Sequence, residues 1–415
     1  MPRLSSIEDV FKSGCCTSCG LCFSQMKTVE KNGTPVPVAL KKGGSFDVAL
    51  CPGKGYSLSN VMEQKSHSSP LLGGWESFHA VRSTNPAILK NAASGGIMTS
   101  IALKALESGL ADGIIVTGLV CRNGKIQTET FVAAGAEDLF RAQGSKYMPV
   151  PALARLTELI EKNKRYVYVG TPCQIAGVRL LQRKNEIVRK GIVLTVGNFC
   201  GGYRDLRERA AIFNQLNIRE EDVVEFAYRR GTQPGYMLIR LRDGREFHLP
   251  YPAYARLTGY TVLRRCRLCM DATAELADFS CGDAWLDRFK GTGNAWSVLI
   301  SRTSESEQLL SLLRKDPSLQ WESITEDEIF AAQRGNITTK KIRQSARRTV
   351  YSLLGCALPE FGLPAVSVSV QERFFEFKVL FSHTLFAVLQ EIGCYPFVAK
   401  LLKRSNCRIE VQNAK

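Results

Sequence analysis

Three thiols, Cys16, Cys19 and Cys22, recur with two residues between each pair, with Gly20 inside the turn. A fourth, Cys51, follows later and is succeeded at once by Pro52. A short C-x2-C-x2-C loop can wrap three corners of a cube, and the fourth thiolate must come from elsewhere. That is the ligand pattern of a cubane [4Fe–4S] cluster. The proline after Cys51 turns the chain away and removes one backbone donor. Zinc is the rival, because C-x2-C pairs also bind zinc tetrahedrally. Zinc sites usually pair two C-x2-C knuckles, whereas here three thiols crowd one loop, which favours the cubane. Cys15 falls outside the spacing and reads as a spare buried thiol.

The chain has 415 residues, enough for two or three domains around a large core. Its 14 cysteines are scattered or in metal-type groups rather than evenly spaced as in a disulfide framework. That usage fits a reducing compartment, so a cytoplasmic protein is expected. The first residues lack the apolar core of a signal peptide, and no apolar run reaches the length of a membrane span. Formal net charge is +16. The basic residues are not interleaved with aromatics as on a nucleic-acid platform, except toward the C-terminus, so nucleic acid is not an expected partner. Anionic cofactors or an acidic electron-carrier protein account better for the excess charge.

In chain order, residues 1–60 read as a small cluster-binding module. Val36–Leu40 and Phe46–Leu50 look like strands around a Lys41–Gly44 turn that returns Cys51 to the loop. Residues 61–85 read as a connector. Asn91 and Ser94-Gly95-Gly96 precede an apolar helix, Ile101–Glu107. Glycines and a serine at a helix start expose backbone N–H groups to a phosphate or flavin, or simply cap the helix. Strands are expected at Ile114–Thr117 and Lys125–Val132. Gly144-Ser145-Lys146-Tyr147 then brings a cation, a hydroxyl and an aromatic ring together, with Lys146 the candidate catalytic group. Leu153–Lys162 has helical periodicity. The strand Tyr166–Val169 ends in Gly170-Thr171-Pro172-Cys173 and a helix. The strand Ile192–Val196 ends near Cys200. Both thiols therefore fall at the carboxyl edge of a sheet, where α/β proteins place chemistry. Helices are expected at Ser304–Arg314, Glu326–Gln333 and Glu372–Ile392. The α/β core is taken to span 61–335 and a basic, helical C-terminal region 336–415. That last region reads either as a helical subdomain packed on the core or as an amphipathic membrane-surface or partner-binding element.

Cys173, Cys200, Cys266 and Cys269 form a second candidate ligand set, assembled from distant loops around one C-x2-C pair. Zinc or a redox dithiol would also suit that pair alone, and Cys281 competes for the fourth position. Cys121, Cys356, Cys394 and Cys407 have no partner pattern.

The ordered set Cys16-x2-Cys19-Gly20-x-Cys22, Ser94-Gly95-Gly96, Gly144–Tyr147, Gly170–Gln174, Phe199-Cys200, Cys266-x2-Cys269, Ala277-Asp278 and Gly282-Asp283 resembles the family of coenzyme F420 hydrogenase/dehydrogenase beta subunits. The likeness runs from about residue 15 to about residue 300. It implies a mixed α/β fold with a ferredoxin-like N-terminal cluster module. It also implies an FAD-containing oxidoreductase with two [4Fe–4S] clusters, exchanging electrons with a ferredoxin-like carrier, deazaflavin coenzyme F420 or partner subunits. Asn91, Ser94, Gly95, Gly96, Ser145, Lys146, Tyr147, Gly170, Thr171 and Pro172 then fall around the flavin, and the eight cysteines become cluster ligands. The same signature would serve a non-catalytic component that only relays electrons within a larger redox complex. Neither the reducible substrate nor the oligomeric state is specified by the motifs.

Overall fold

The computed structural model describes residues 3–31, 34–58, 66–231, 233–251, 254, 261–289, 295–363, 367–391 and 412–413. Helix α1 (Ile7–Lys12) begins at a capping box: Asp9 N–H donates to Ser6 Oγ at 3.1 Å, and Ser6 N–H to Asp9 Oδ2 at 2.9 Å. The cysteine loop follows. Strands β1 (Met26–Lys31) and β2 (Thr34–Leu40) then pair antiparallel. The expected hairpin is therefore shifted. β2 pairs backward with β1, and Phe46–Leu50 is not a strand. Asp47 Oδ1 accepts from Ala49 N–H at 2.9 Å and starts a single helical turn, Val48–Leu50, that delivers Cys51. A local side-chain cap outcompetes the extended reading of a short apolar run.

The body is an eight-stranded mixed sheet. Its strands are β5 (Ser77–Ser83), β6 (Gly113–Arg122), β7 (Lys125–Ala133), β8 (Tyr166–Gly170), β9 (Ile192–Asn198), β13 (Phe279–Asp283), β14 (Ser297–Ser301) and β15 (Leu319–Glu322), in spatial order β15-β5-β14-β13-β9-β8-β6-β7. The ribbon β3 (His67–Ser69) and β4 (Gly73–Trp75) precedes it, and a separate antiparallel sheet holds β10 (Val223–Arg230), β11 (Tyr236–Leu241) and β12 (Glu246–Pro250). The four central strands β13, β9, β8 and β6 are parallel, and the flanking pairs are antiparallel. Part of the expected connector, residues 61–85, is thus ordered strand: β5 lies inside the sheet between β14 and β15.

Alternation along the central strands divides the core in two. Ile114, Val116 and Val167 face one side and pack with Ile97 and Ile101 of α2 (Ile97–Glu107). Ile115, Tyr166 and Tyr168 face the other and pack with Ile175 and Val178 of α4 (Pro172–Gln182). Helices on both faces of a parallel centre are what such fully buried strands require. Helix α3 (Ala136–Ala142) follows β7, and α5 (Ser304–Leu313) adds Leu309, Leu310 and Leu313 to the α2 side. The expected helix Leu153–Lys162 shrinks to Leu156–Leu159. Leu153 N–H is taken by the Cys19 carbonyl at 2.8 Å, so this segment clamps the cysteine loop instead of starting a helix.

At the far end of the chain, α6 (Gln344–Leu353) packs against α7 (Val370–Glu391). The N-terminal module does not bury itself alone. Leu4, Ile7, Val10, Cys15, Cys22, Met26 and Cys51 share one apolar cluster with Leu268, Tyr351 and Ala357. No described helix is long and apolar enough to cross a membrane.

Candidate functional site

Two groups of thiols and one cavity define the site. Cys16, Cys19, Cys22 and Cys51 lie within electrostatic reach of one another. Gly20 makes their loop possible. Its φ is +87°, and an added Cβ would meet Ala154 N at 2.9 Å. Ser18 N–H points at Cys16 Sγ, 3.3 Å away. Burial pushes the four thiols up, Cys16 to about 11.

The second set is gathered by topology. Cys173 stands in the first turn of α4, and Thr171 Oγ1 lies 3.4 Å from its sulfur. Cys200 follows β9, and Gly202 N–H reaches its sulfur at 3.3 Å. An added Cβ on Gly202, whose φ is +114°, would lie 3.0 Å from Cys266 Cβ, so only glycine lets these two loops close. Burial pushes Cys173 up, and Cys266 up to about 11. Cys281, on β13 at the edge of the apolar core, lines the site's cavity; burial raises it, and no other thiol acts on it.

Two buried cations face these thiols. Lys340 Nζ lies 3.5 Å from Cys269 Sγ and donates to Asp271 O at 2.9 Å. Burial alone would lower its pKa, but the sulfurs of Cys269, Cys200 and Cys266 hold it up. Arg265 is 2% exposed. It donates from Nη2 to the carbonyl of Pro52 at 2.8 Å, beside Cys51. Burial opposes its charge, while Cys269, Tyr56 and Cys173 favour it. The same guanidinium acts on Cys16 and Cys19. Among the described residues its Nε and Nη1 have no acceptor. Unpaired buried guanidinium nitrogens are costly, and a polyanionic group held by the thiols is what would satisfy them. Tyr203 also stands between the sets: its hydroxyl donates to the Thr17 carbonyl, and its electrostatic neighbours are Cys266, Cys173, Cys16 and Cys19. The donor set and its cations therefore fit iron–sulfur clusters. Among the described residues no three His, Cys, Asp or Glu side chains converge as ligands of a single ion.

A cavity of about 450 Å³ opens at the carboxyl ends of β8, β9 and β13, where Val169, Gly170, Asn198 and Gly282 line it. That is within the roughly 300–1,000 Å³ typical of cofactor sites. Ser94, Gly96, Ser145, Lys146, Tyr147, Gly170 and Thr171, all expected around a flavin, line it, and so does Cys200. Asn91, Gly95 and Pro172 are not in the lining. Gly95 N–H donates to Ser297 Oγ at 2.9 Å, and Ser94 Oγ donates to Trp296 O at 2.8 Å, so this loop is bolted to β14. Pro172 is the first residue of α4, and the Asn91 carbonyl lies behind Gly144.

Lys146 Nζ donates to the carbonyls of Ala142, Gly144 (2.9 Å) and Gln143 (3.4 Å), capping the end of α3. Burial and then Arg230 push its ammonium down to about 7. Every ammonium proton is thus committed to backbone. Arg229, which sequence reasoning missed, forms the opposite wall. It pairs with Asp283 at 2.7 Å and donates to Ala93 O at 2.6 Å. Its guanidinium lies over Tyr251 (4.8 Å) and Trp285 (5.5 Å). Tyr147, Tyr251 and Trp285 stack in sequence, with centroid spacings of 6.0 and 6.2 Å. The position of Arg265 beside the C-x2-C pair was a readable signal; Arg229 had none.

Thiol sets beside a cofactor-sized cavity on a mixed α/β fold mark a redox protein. Two family models place it further, both describing the beta subunit of "Coenzyme F420 hydrogenase/dehydrogenase". Residues 78–157 match the model of its N-terminal part, and residues 163–327 match the model of its C-terminal part. The chain belongs to that family, whose members are electron-transfer oxidoreductase subunits. It is 25% identical over 328 residues to a component of the F(420)H(2) dehydrogenase of Methanosarcina mazei, covering 75% of this chain and 85% of the relative. It is 28% identical over 253 residues to the beta subunit of the coenzyme F420 hydrogenase of Methanothermobacter thermautotrophicus, covering 58% of this chain and 82% of the relative. In fold it is similar to a chain of the F420-reducing [NiFe] hydrogenase complex from Methanosarcina barkeri. The TM-score is 0.55 at 24% identity, over 71% of this chain and 99% of that one.

Proposed function

We propose that the protein is an iron–sulfur flavoprotein that moves electrons between a one-electron carrier, or a deazaflavin of the F420 type, and a two-electron substrate. Cys16, Cys19, Cys22 and Cys51 would hold one [4Fe–4S] cluster, Cys173, Cys200, Cys266 and Cys269 a second, and the cavity FAD. When bound, the clusters handle single electrons and the flavin converts between one- and two-electron chemistry. The observation that carries the reading is that Cys200 lines the cavity while Arg265 and Tyr203 stand between the two thiol sets.

The residues divide the work. Arg265 and Lys340 offset the charge of thiolate-bound clusters and supply N–H donors toward sulfur. Ser94, Gly96, Ser145 and Thr171 offer polar edges to a bound ring or pyrophosphate, and Tyr147, Tyr251 and Trp285 offer flat apolar faces. Lys146 keeps the Gly144–Tyr147 loop in shape, and moving a proton from it would first break the cap on α3. Lys41 and Lys54, close to the first set in the sequence, suit an acidic carrier, whereas Lys184 is paired with Asp47. Relatives named as subunits of F420 enzymes make partner subunits a natural setting.

Chemical analysis of anaerobically purified protein tests this. Two cubanes give about eight iron and eight sulfide per chain, with FAD released on denaturation. About four iron removes the second cluster; zinc without sulfide removes both.

A further inference from the structure

The C-terminal helix α7 shows the rest of the protein one face and solvent another. Glu376 forms a buried ion pair with Arg347, at 2.8 Å from Nε, and Leu380 packs on the apolar cluster that holds Cys15, Cys22 and Cys51. The other face carries Val370, Phe374, Phe377, Phe381, Leu385 and Val388. Their spacings of four, three, four, four and three residues make one stripe along the helix. All six are exposed, Phe374 and Phe381 by more than 60%. The stripe spans 18 residue steps, on the order of 27 Å. A continuous exposed stripe of this kind calls for a cover.

Charge distinguishes the candidates. At 100° per residue, Arg373 and Lys378 flank the stripe on opposite sides, and neither has an ion-pair partner among the described residues. Glu372 points away and is used at the helix start, where it accepts from Ser369 N–H at 2.8 Å. Residues 392–415 add five Lys or Arg against one Glu. Pairing α7 with the same helix of a second copy would set these cations against one another with no acids at the seam, and coiled-coil seams use Leu, Ile and Val rather than phenylalanine. Phenylalanine flanked by cations is the composition of a helix lying in a lipid interface. We propose that α7 docks the protein on an anionic phospholipid surface, its aromatic stripe entering the headgroup layer and Arg373 and Lys378 meeting lipid phosphates. The helix packs on the first thiol module, so docking brings that end of the molecule to the bilayer.

Co-sedimentation of the full-length protein with vesicles tests this. The protein is expected to pellet with vesicles of phosphatidylglycerol mixed with phosphatidylcholine, to be released by salt, and to stay in solution with phosphatidylcholine alone. Phe374→Ser with Phe381→Ser should weaken partitioning about tenfold or more, because two exposed aromatic anchors are lost. Arg373→Glu with Lys378→Glu tests the charge separately and leaves the stripe intact; it too should lower the pelleted fraction. Unchanged circular dichroism in both variants shows that they remain folded. The proposal is overturned by wild type that stays in the supernatant with anionic vesicles, or by variants that pellet as well as wild type. It is also overturned by stripe-dependent dimers in lipid-free solution, which would assign the face to a second copy.

Discussion

The two thiol sets solve the same problem by different means. Three members of the first come from seven consecutive residues, and the fourth from a turn capped by Asp47. Around them the packing is mostly apolar, from α1, β1, Leu268, Tyr351 and Ala357, with Arg265 a charged neighbour. Members of the second come from three separate places, the start of α4, the end of β9 and the C-x2-C turn. They meet polar neighbours, Thr171, Gly202 N–H and Lys340. The first set also lies before residue 78, where the family match begins, whereas the second lies inside it. A locally wound loop can survive losing one thiol because the chain still holds its neighbours together. A set drawn from distant segments has no such support, and a cluster held there as proposed would itself be part of the tie.

The largest expected effect follows from that contrast. Cys269→Ser should lower Tm by about 5 °C or more and release flavin, since the group tying the core loops together is lost. Cys19→Ser should remove about half of the iron and keep most of the flavin and stability, while abolishing reduction by a ferredoxin-like donor. Melting curves and flavin retention measured side by side decide the matter; equal losses, or greater damage from Cys19→Ser, would erase the distinction. Arg265→Met sharpens it differently. Removing a cation that faces both sets should lower the midpoint potentials of both clusters by tens of millivolts, read by redox-poised EPR, with Arg265→Lys restoring most of the shift. A shift in one cluster alone would tie Arg265 to that set only. Smallest is Ser297→Ala, which touches neither thiol set. Loss of its bonds to Ser94 and Gly95 should cost about 1 kcal/mol and weaken flavin retention at unchanged iron content.

Legibility in the sequence followed the range of the interaction. The first thiol set was readable as a group because three of its members sit in one short stretch of sequence, and the fold brings Cys51 to them. The parallel centre was readable because Tyr166–Val169 and Ile192–Val196 are short apolar runs before helices. β5 was missed: Ser77, His79, Arg82 and Ser83 dilute its pattern, and pairing with β14 and β15 on both sides supplies what propensity does not. The 153–162 helix was overread because the Cys19 carbonyl takes the Leu153 N–H, a contact between residues 134 positions apart in the numbering. The same holds at the site. Ser94 and Gly144–Tyr147 stood out as motifs, whereas Arg229 and Tyr203 become visible only when the sheet brings Asp283 and Thr17 to them.

Two long-range contacts bear on how the protein is made. Cys15, beside the first cysteine loop, packs its sulfur against the Ala357 carbonyl, 342 residues later. Gly55 bridges to Glu360 so closely that a side chain there would strike its backbone. Synthesis runs from the amino end, so the four thiols of the first set leave the ribosome before the residues around Tyr351 and Ala357 that pack over them. Until those residues arrive, part of the apolar wall around Cys22 and Cys51 is missing. For the cluster proposed at this set, the order of synthesis would leave a loading interval that ends when these later residues pack over it.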